Sequence, residues 1–227
     1  MFLKKYIKSL LMLQNIMLQT LNQRISSEFC ADTVNKLTDV SLLSEYQDCK
    51  SVKNSVTKLS NILEKHIEIS TEMREAILKE YLVEMIPPGT KGVIRGNKFN
   101  KIVQAKIMGI ALPADIYEVA FEKNCDTTPT SEIPDWYIKD KIQNRTLIGM
   151  NQLDLWGGGH QMNRAAKYIL KDPFESQTNV KLICVVCNYI ELKSEKNKAF
   201  QIFEKGYNRN TICYLNNLEK IVREFFL

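Results

Sequence analysis

The sequence predicts an α/β protein in which a helical first third precedes a central mixed sheet flanked by helices. Three observations carry this reading. Apolar residues recur at helical spacing early in the chain, as Leu10, Leu13, Met17 and Leu21 and then as Val56, Leu59, Leu63 and Ile67. A Pro87-Pro88-Gly89 stop closes that stretch, because proline cannot donate to a helix ladder and restricts the residue before it. Beyond it helical and strand-like runs alternate, and residues 180–187 are mostly apolar and rich in β-branched side chains, as in a buried strand.

Taken in order, residues 1–86 read as helices. The opening Phe2-Leu3-Lys4-Lys5 and Ser9-Leu10-Leu11-Met12-Leu13 loosely resemble a signal peptide. Lys8, Gln14, Asn15 and Gln19 interrupt the run, however, and no small-x-small site follows, so an amphipathic helix is expected. No apolar run reaches the roughly 20 residues that a membrane helix needs. A later helix carries Met73, Ile77, Leu78 and Leu82, with Glu72, Glu75, Lys79 and Glu84 between them, and runs up to the proline pair.

Past the stop, Gly92-Val93-Ile94-Arg95-Gly96 reads as a tight glycine-flanked segment leading into a helix over residues 99–110. Pro113-Ala114-Asp115 should open another helix over 116–123. A loop at 126–131 then precedes a strand at 135–138, a hairpin turn at 140–145 and a strand at 147–155. The glycines Gly157, Gly158 and Gly159 lead to a helix over 161–170. After the strand at 180–187 come a helix at 199–204, a short strand at 211–215 and a closing helix at 218–226. The pattern gives a helical region over 1–86, suited to recognition or dimerisation, and an α/β core over 87–227.

Composition sets outer limits. With 227 residues, 44% hydrophobic and 25% charged, the chain can bury one substantial core. A net charge of +5 permits nucleic acid as a partner without demanding it. The six cysteines (Cys30, Cys49, Cys125, Cys184, Cys187 and Cys213) are too scattered for a disulfide scaffold, so a reducing cytoplasm is the expected compartment. Cys184 and Cys187 lie within an apolar run, with no second pair at zinc spacing, and read as buried thiols.

Residues 133–169 carry the functional signal. Pro134-Asp135 stands before the hairpin, and an amide-rich strand ending near Asp154 follows. After the three glycines, His160, Gln161, Asn163, Arg164 and Lys167 decorate a helix start. Phosphodiester hydrolysis needs an activated water, a cation against the charged phosphorus centre, and help for the leaving alkoxide. Asp135, at the end of one strand, could anchor Mg²⁺. Alternate strand residues share a face, so Met150, Gln152 and Asp154 face one way and Asn151 and Leu153 the other. Gln152 and Asp154 are therefore the natural partners of Asp135, with Asn151 the alternative amide ligand if the register shifts. Magnesium takes one or two carboxylates plus waters and phosphate oxygens, which this set can satisfy.

Other residues suit a DNA contact. Gln161 and Asn163 have donor geometry for adenine and Arg164 for guanine. His160 could touch DNA, cap the helix or act as a general base, and Lys91 and Arg95, beside glycines, suit phosphates. The glycine triplet could cradle a phosphate at a helix N-terminus or serve as a flexible turn. It lacks the Lys-Ser/Thr ending of a nucleotide-binding loop. His66 reads as an ordinary helical residue.

On Pro134-Asp135, the run Asn151-Gln152-Leu153-Asp154-Leu155-Trp156-Gly157-Gly158-Gly159-His160-Gln161, and Asn163-Arg164 with Lys167-Tyr168, the chain resembles the PD-(D/E)XK nucleases, more narrowly the type II restriction endonucleases. The resemblance extends more weakly to residues 89–96 and 182–187 and covers about residues 87–220. It implies a PD-(D/E)XK-like core that cuts double-stranded DNA at a short specific site in a Mg²⁺-dependent reaction. A homodimer is the usual assembly, and a companion DNA methyltransferase is a possible member of such a restriction-modification system. The acidic-x-lysine element of the family is absent here. Lys167 is the better-placed substitute cation, with Lys139 and Lys141 as others. The competing readings are a non-catalytic DNA-binding module on the same fold and a repair or RNA-processing nuclease.

Overall fold

The computed structural model describes residues 49–66, 68–85, 87–126, 132–153, 163, 166–170, 178–187 and 198–226. The chain divides into two compact units, one spanning Ala31–Phe99 and one containing Asn100–Leu227. In the first, helices α1 (Lys50–Glu64) and α2 (Thr71–Met85) are neighbours. Helix α1 buries Val52, Ser55, Leu59 and Leu63, a stripe at helical spacing.

Helix α2 ends just before the proline pair, and Pro88 then begins α3 (Pro88–Met108), since a first-turn residue needs no N–H for the helix ladder. The expected tight segment at residues 92–96 is thereby corrected: it lies inside this helix. A Cβ added to Gly89, Gly92 or Gly96 would meet nothing within 4 Å, so no close approach demands glycine there. Burial of Phe99, Val103 and Ile107 along α3 outweighs the roughly 1 kcal/mol that a helical glycine costs.

The second unit is built on a five-stranded mixed sheet in the order β1-β2-β3-β4-β5, formed by Tyr117–Phe121, Trp136–Asp140, Thr146–Leu153, Val180–Cys187 and Ile212–Tyr214. The first three strands form an antiparallel meander, while β3/β4 and β4/β5 are parallel. Strand β1 corrects the helix expected over 116–123. The Pro113 carbonyl accepts from the N–H groups of both Ile116 and Tyr117, which makes a single turn. The chain then pairs with β2 from Tyr117↔Asp140 to Phe121↔Trp136, and this tertiary pairing overrides the local helix-start signal. The Tyr137 hydroxyl donates to Glu118 Oε1 at 2.6 Å, and that bond to a carboxylate pushes the phenol up to about 12.

The sheet buries both faces. Ile148 and Met150 of β3, with Leu182, Cys184 and Val186 of β4, pack in one cluster with Tyr168, Ile169 and Ile202. Tyr168 and Ile169 sit on a π-helical turn, Ala166–Leu170, and Ile202 on helix α4 (Lys198–Asn208). Cys184 is fully buried, as expected of a core thiol. Strand alternation puts Trp136, Leu147, Gly149 and Asn151 on the opposite face. The Arg223 guanidinium donates to the Ile110 carbonyl there, and Phe226 meets Tyr117 edge-on, so the end of α3 and helix α5 (Leu218–Phe226) are close to one another and to the sheet. Helix α5 buries Leu218, Val222 and Phe226, one per turn.

Two local devices fix the meander. Asp140 Oδ1 accepts the N–H groups of Ile142 and Gln143, each at 2.9 Å, which closes the β2–β3 turn at the expected place. Those bonds, led by Gln143, and the nearby Arg145 hold the Asp140 carboxyl below the usual carboxylate range, against the opposing pull of burial. Across the hairpin, Trp136 pairs with Gly149, where an added Cβ would lie 1.8 Å from the indole ring. Glycine leaves room for the ring against the neighbouring strand. Among the described residues, no helix is long and apolar enough to cross a membrane.

Candidate functional site

Asp135 immediately precedes β2 and is held from two sides. Its N–H donates to the Gly149 carbonyl, and its own carbonyl accepts from the Glu122 N–H, both at 3.1 Å. The residue is therefore pinned between the start of β2, the end of β1 and the middle of β3. Pro134 before it is buried, and Asp135 itself is half-buried.

Each Asp135 carboxylate oxygen has a directed partner. The Asn151 backbone N–H donates to Oδ2 at 2.6 Å, and the Asn100 side-chain amide donates to Oδ1 at 3.2 Å. The same Asn100 nitrogen lies 3.4 Å from Glu122 Oε1, so two carboxylates face one amide. In turn Asn100 Oδ1 accepts from the Asn151 side-chain amide at 2.9 Å, and Asn151 Oδ1 accepts the Trp136 indole N–H at 3.2 Å. Trp136 is fully buried and Asn151 nearly so, while Glu122 is exposed. The network thus runs from the core beside the sheet outward to two acids at the ends of β1 and β2.

Of the residues singled out in the sequence, this geometry brings together Asp135 and Asn151. Gln152 is buried, and alternation puts it on the face of Ile148 and Met150, away from Asn151. Lys167 is exposed, and its ammonium lies 2.8 Å from Glu132 Oε1. The Tyr168 hydroxyl donates to the other Glu132 oxygen. That carboxylate raises the Lys167 ammonium above its ordinary range, whereas burial first and Glu132 second raise the Tyr168 phenol. Lys141 donates to the Ala114 carbonyl at 2.7 Å, and Lys139 is half-buried on β2. Asn163 is exposed in a helical position. Lys91 and Arg95 lie on α3, with their side chains outside the description. Asp154, the glycines 157–159, His160, Gln161 and Arg164 lie outside the described residues.

No protein-family model, curated protein or solved structure matches this chain.

Among the described residues, no three His, Cys, Asp or Glu side chains gather as a metal site. Asp135 and Glu122 nevertheless set two carboxylates on either side of the Asn100 amide nitrogen, and carboxylate oxygens are ligands that a hard dication accepts when water and phosphate complete the set. Sequence reasoning missed Asn100 and Glu122. Asn100 sits 35 residues before Asp135 on a different element, and its only advance signal was a polar residue beside buried Phe99. Glu122 falls within the helix expected over 116–123, and its place just past the end of β1 emerges only from the β1/β2 pairing.

Proposed function

We propose that this chain is a type II restriction endonuclease of the PD-(D/E)XK kind, hydrolysing phosphodiester bonds in double-stranded DNA at a short specific sequence. The observation that carries the reading is the seat of Asp135. An acid at the mouth of one strand is bonded to the adjoining strand at Asn151, within the amide-rich run of the sequence motif. Sheet-borne groups hold such an acid to a small tolerance, as a reaction at a fixed phosphorus centre requires.

In this reading Mg²⁺, when bound by Asp135 with Asp154 as the expected second acid, would supply charge neutralisation at the phosphate, while the Asn151 side-chain oxygen stays on the Trp136 N–H and Gln152 lies on the other sheet face. Glu122 is a further oxygen donor within reach. Asp135 orients the ion-binding edge, and the N–H of Asn151 fixes its carboxylate. Lys167 fills the place of the missing family lysine, and Lys91, Arg95, His160, Gln161, Asn163 and Arg164 contact DNA. A homodimer would match a two-fold symmetric site.

One observation favours a second reading, a DNA-binding module without catalysis. The Lys167 ammonium is bound to Glu132 rather than to Asp135. The test is incubation of purified protein with unmethylated duplex DNA, with and without Mg²⁺, followed by sequencing of fragment ends. Discrete fragments formed only with Mg²⁺ support the restriction enzyme and give its site. DNA that stays intact but bound selects the module. Cleavage suppressed best by single-stranded DNA or RNA competitors selects a repair or RNA-processing nuclease.

A further inference from the structure

We infer that Asn100 is the positioning residue for Asp135, oriented by a relay of fixed hydrogen-bond polarity that starts at the Trp136 indole. The inference rests on the nuclease reading and adds to it a residue on α3, outside the sequence motif. An indole N–H can only donate. Trp136 is fully buried, and its N–H meets Asn151 Oδ1, which fixes which end of the Asn151 amide is oxygen. The Asn151 nitrogen must then face Asn100, where it donates to Oδ1. The Asn100 nitrogen is left pointing outward at Asp135 Oδ1 and Glu122 Oε1. Reversing either amide would set oxygen against oxygen or N–H against N–H, so the relay has one direction.

Two consequences follow for Asp135. Its carboxylate is gripped at both oxygens, by Asn100 from the helix and by the Asn151 backbone N–H from β3, so rotation about its terminal bond is blocked. Both of these donors are neutral. A lysine or arginine in place of Asn100 would cancel the charge that an incoming cation needs, whereas an amide orients the acid and leaves that charge intact.

Asn100→Asp tests this with almost no change of shape. It keeps an acceptor for Asn151 and replaces the donor toward Asp135 and Glu122 with a repelling oxygen. With unmethylated duplex DNA and Mg²⁺, kcat should fall about 10–100-fold at pH 8, the range seen when a ligand's outer partner is removed. KM should hold. The deficit should shrink toward pH 5.5, where the introduced carboxyl takes up a proton and can donate again. Asn100→Ala should show the loss without the acid recovery. Equal cleavage by wild type and Asn100→Asp at every pH would overturn the inference, as would a loss confined to KM. If Asn100→Asp does not fold, Trp136→Phe reads the same relay. It keeps an aromatic six-membered ring while removing the five-membered ring and its N–H, and an unchanged kcat would overturn the inference. Chemical unfolding of the same proteins at pH 5.5 and 8 separates the two claims. If wild-type protein leaves DNA intact, the nuclease reading fails. A stability deficit of Asn100→Asp that widens with pH then still supports the grip on Asp135, and the absence of such a gap overturns it.

Discussion

The backbone N–H of Asn151 donates to Asp135 Oδ2 across 2.6 Å, so an acid at the mouth of β2 and an amide of β3 behave as one unit. Asp135→Asn preserves the size of the side chain and removes its charge. Under the proposed function this should cost about 4 kcal/mol of transition-state stabilisation, or about a thousandfold in cleavage rate. DNA affinity should change less than about tenfold. Single-turnover cleavage and a mobility shift on the same preparation check both, and full cleavage would remove Asp135 from the site.

Glycine substitutions should split by position. At Gly149 a methyl group would lie 1.8 Å from the Trp136 ring, which has no room to move in a fully buried setting. Gly149→Ala should destabilise by about 3 kcal/mol or more, at or beyond the upper end of ordinary overpacking. Gly92→Ala meets nothing within 4 Å on α3 and should stabilise by up to about 1 kcal/mol. Urea unfolding of the two variants beside wild type decides the matter. A neutral Gly149→Ala would contradict the Trp136 packing.

Acid should loosen the β2–β3 turn through Asp140. The folded-state affinity of this carboxyl for protons is depressed by the Gln143 and Ile142 N–H groups and by Arg145, with the Gln143 bond the largest contribution. Its stabilisation is therefore fully present above the unfolded aspartate value of about 4 and lost as pH falls through the lower folded value. Asp140→Asn should be less stable than wild type near neutrality, and the gap should close below about pH 4. A gap constant from pH 3 to 7 would rule out this role.

Arg145 ties the hairpin to the end of the chain. Its guanidinium donates to the Phe225 carbonyl at 2.8 Å and to that of Phe226, and it lies 6.0 and 5.7 Å from the two ring centroids. A cation bonded to the last carbonyls of a helix also complements its dipole. Arg145→Met should cost about 2–4 kcal/mol, from charged hydrogen bonds and ring contacts together. Hydrogen exchange should show the loss first in α5. Unchanged protection of residues 218–226 would count against the tie.

The sequence made some elements legible because their signal is local. Leu218, Val222 and Phe226 recur on one helix face, and α5 lies where that spacing puts it. Residues 182–186 are buried on both sides, so composition alone identifies β4. Strand β1 was opaque because it has only five residues, Pro113-Ala114-Asp115 resembles a helix start, and its partner β2 lies beyond a loop. In the site, Asp135 and Asn151 were within reach of strand reasoning. Alternation along β3 groups Gln152 with Asp154 and makes Asn151 the alternative, but says nothing of which face the Asp135 carboxylate takes. Asp135 sits one residue before β2, where the backbone bends, and its carboxylate reaches Asn100 and Asn151 on the Trp136 face. Asn100 could not be found from spacing, since only the packing of α3 beside the sheet brings it near.

The pairing of Asp135 with Asn151 spans 16 residues, and the turn at Asp140 joins the two strands that carry it. Closing so short a loop costs little chain entropy, whereas β3/β4 and β4/β5 need crossovers through distant sequence. Weakening the parallel half of the sheet should therefore lower the number of native molecules and, under the proposed function, leave the rate of each one untouched. Weakening the hairpin should, under the same proposal, change the rate itself. Damage to this protein accordingly divides into loss of quantity and loss of quality, and the boundary between them runs along β3.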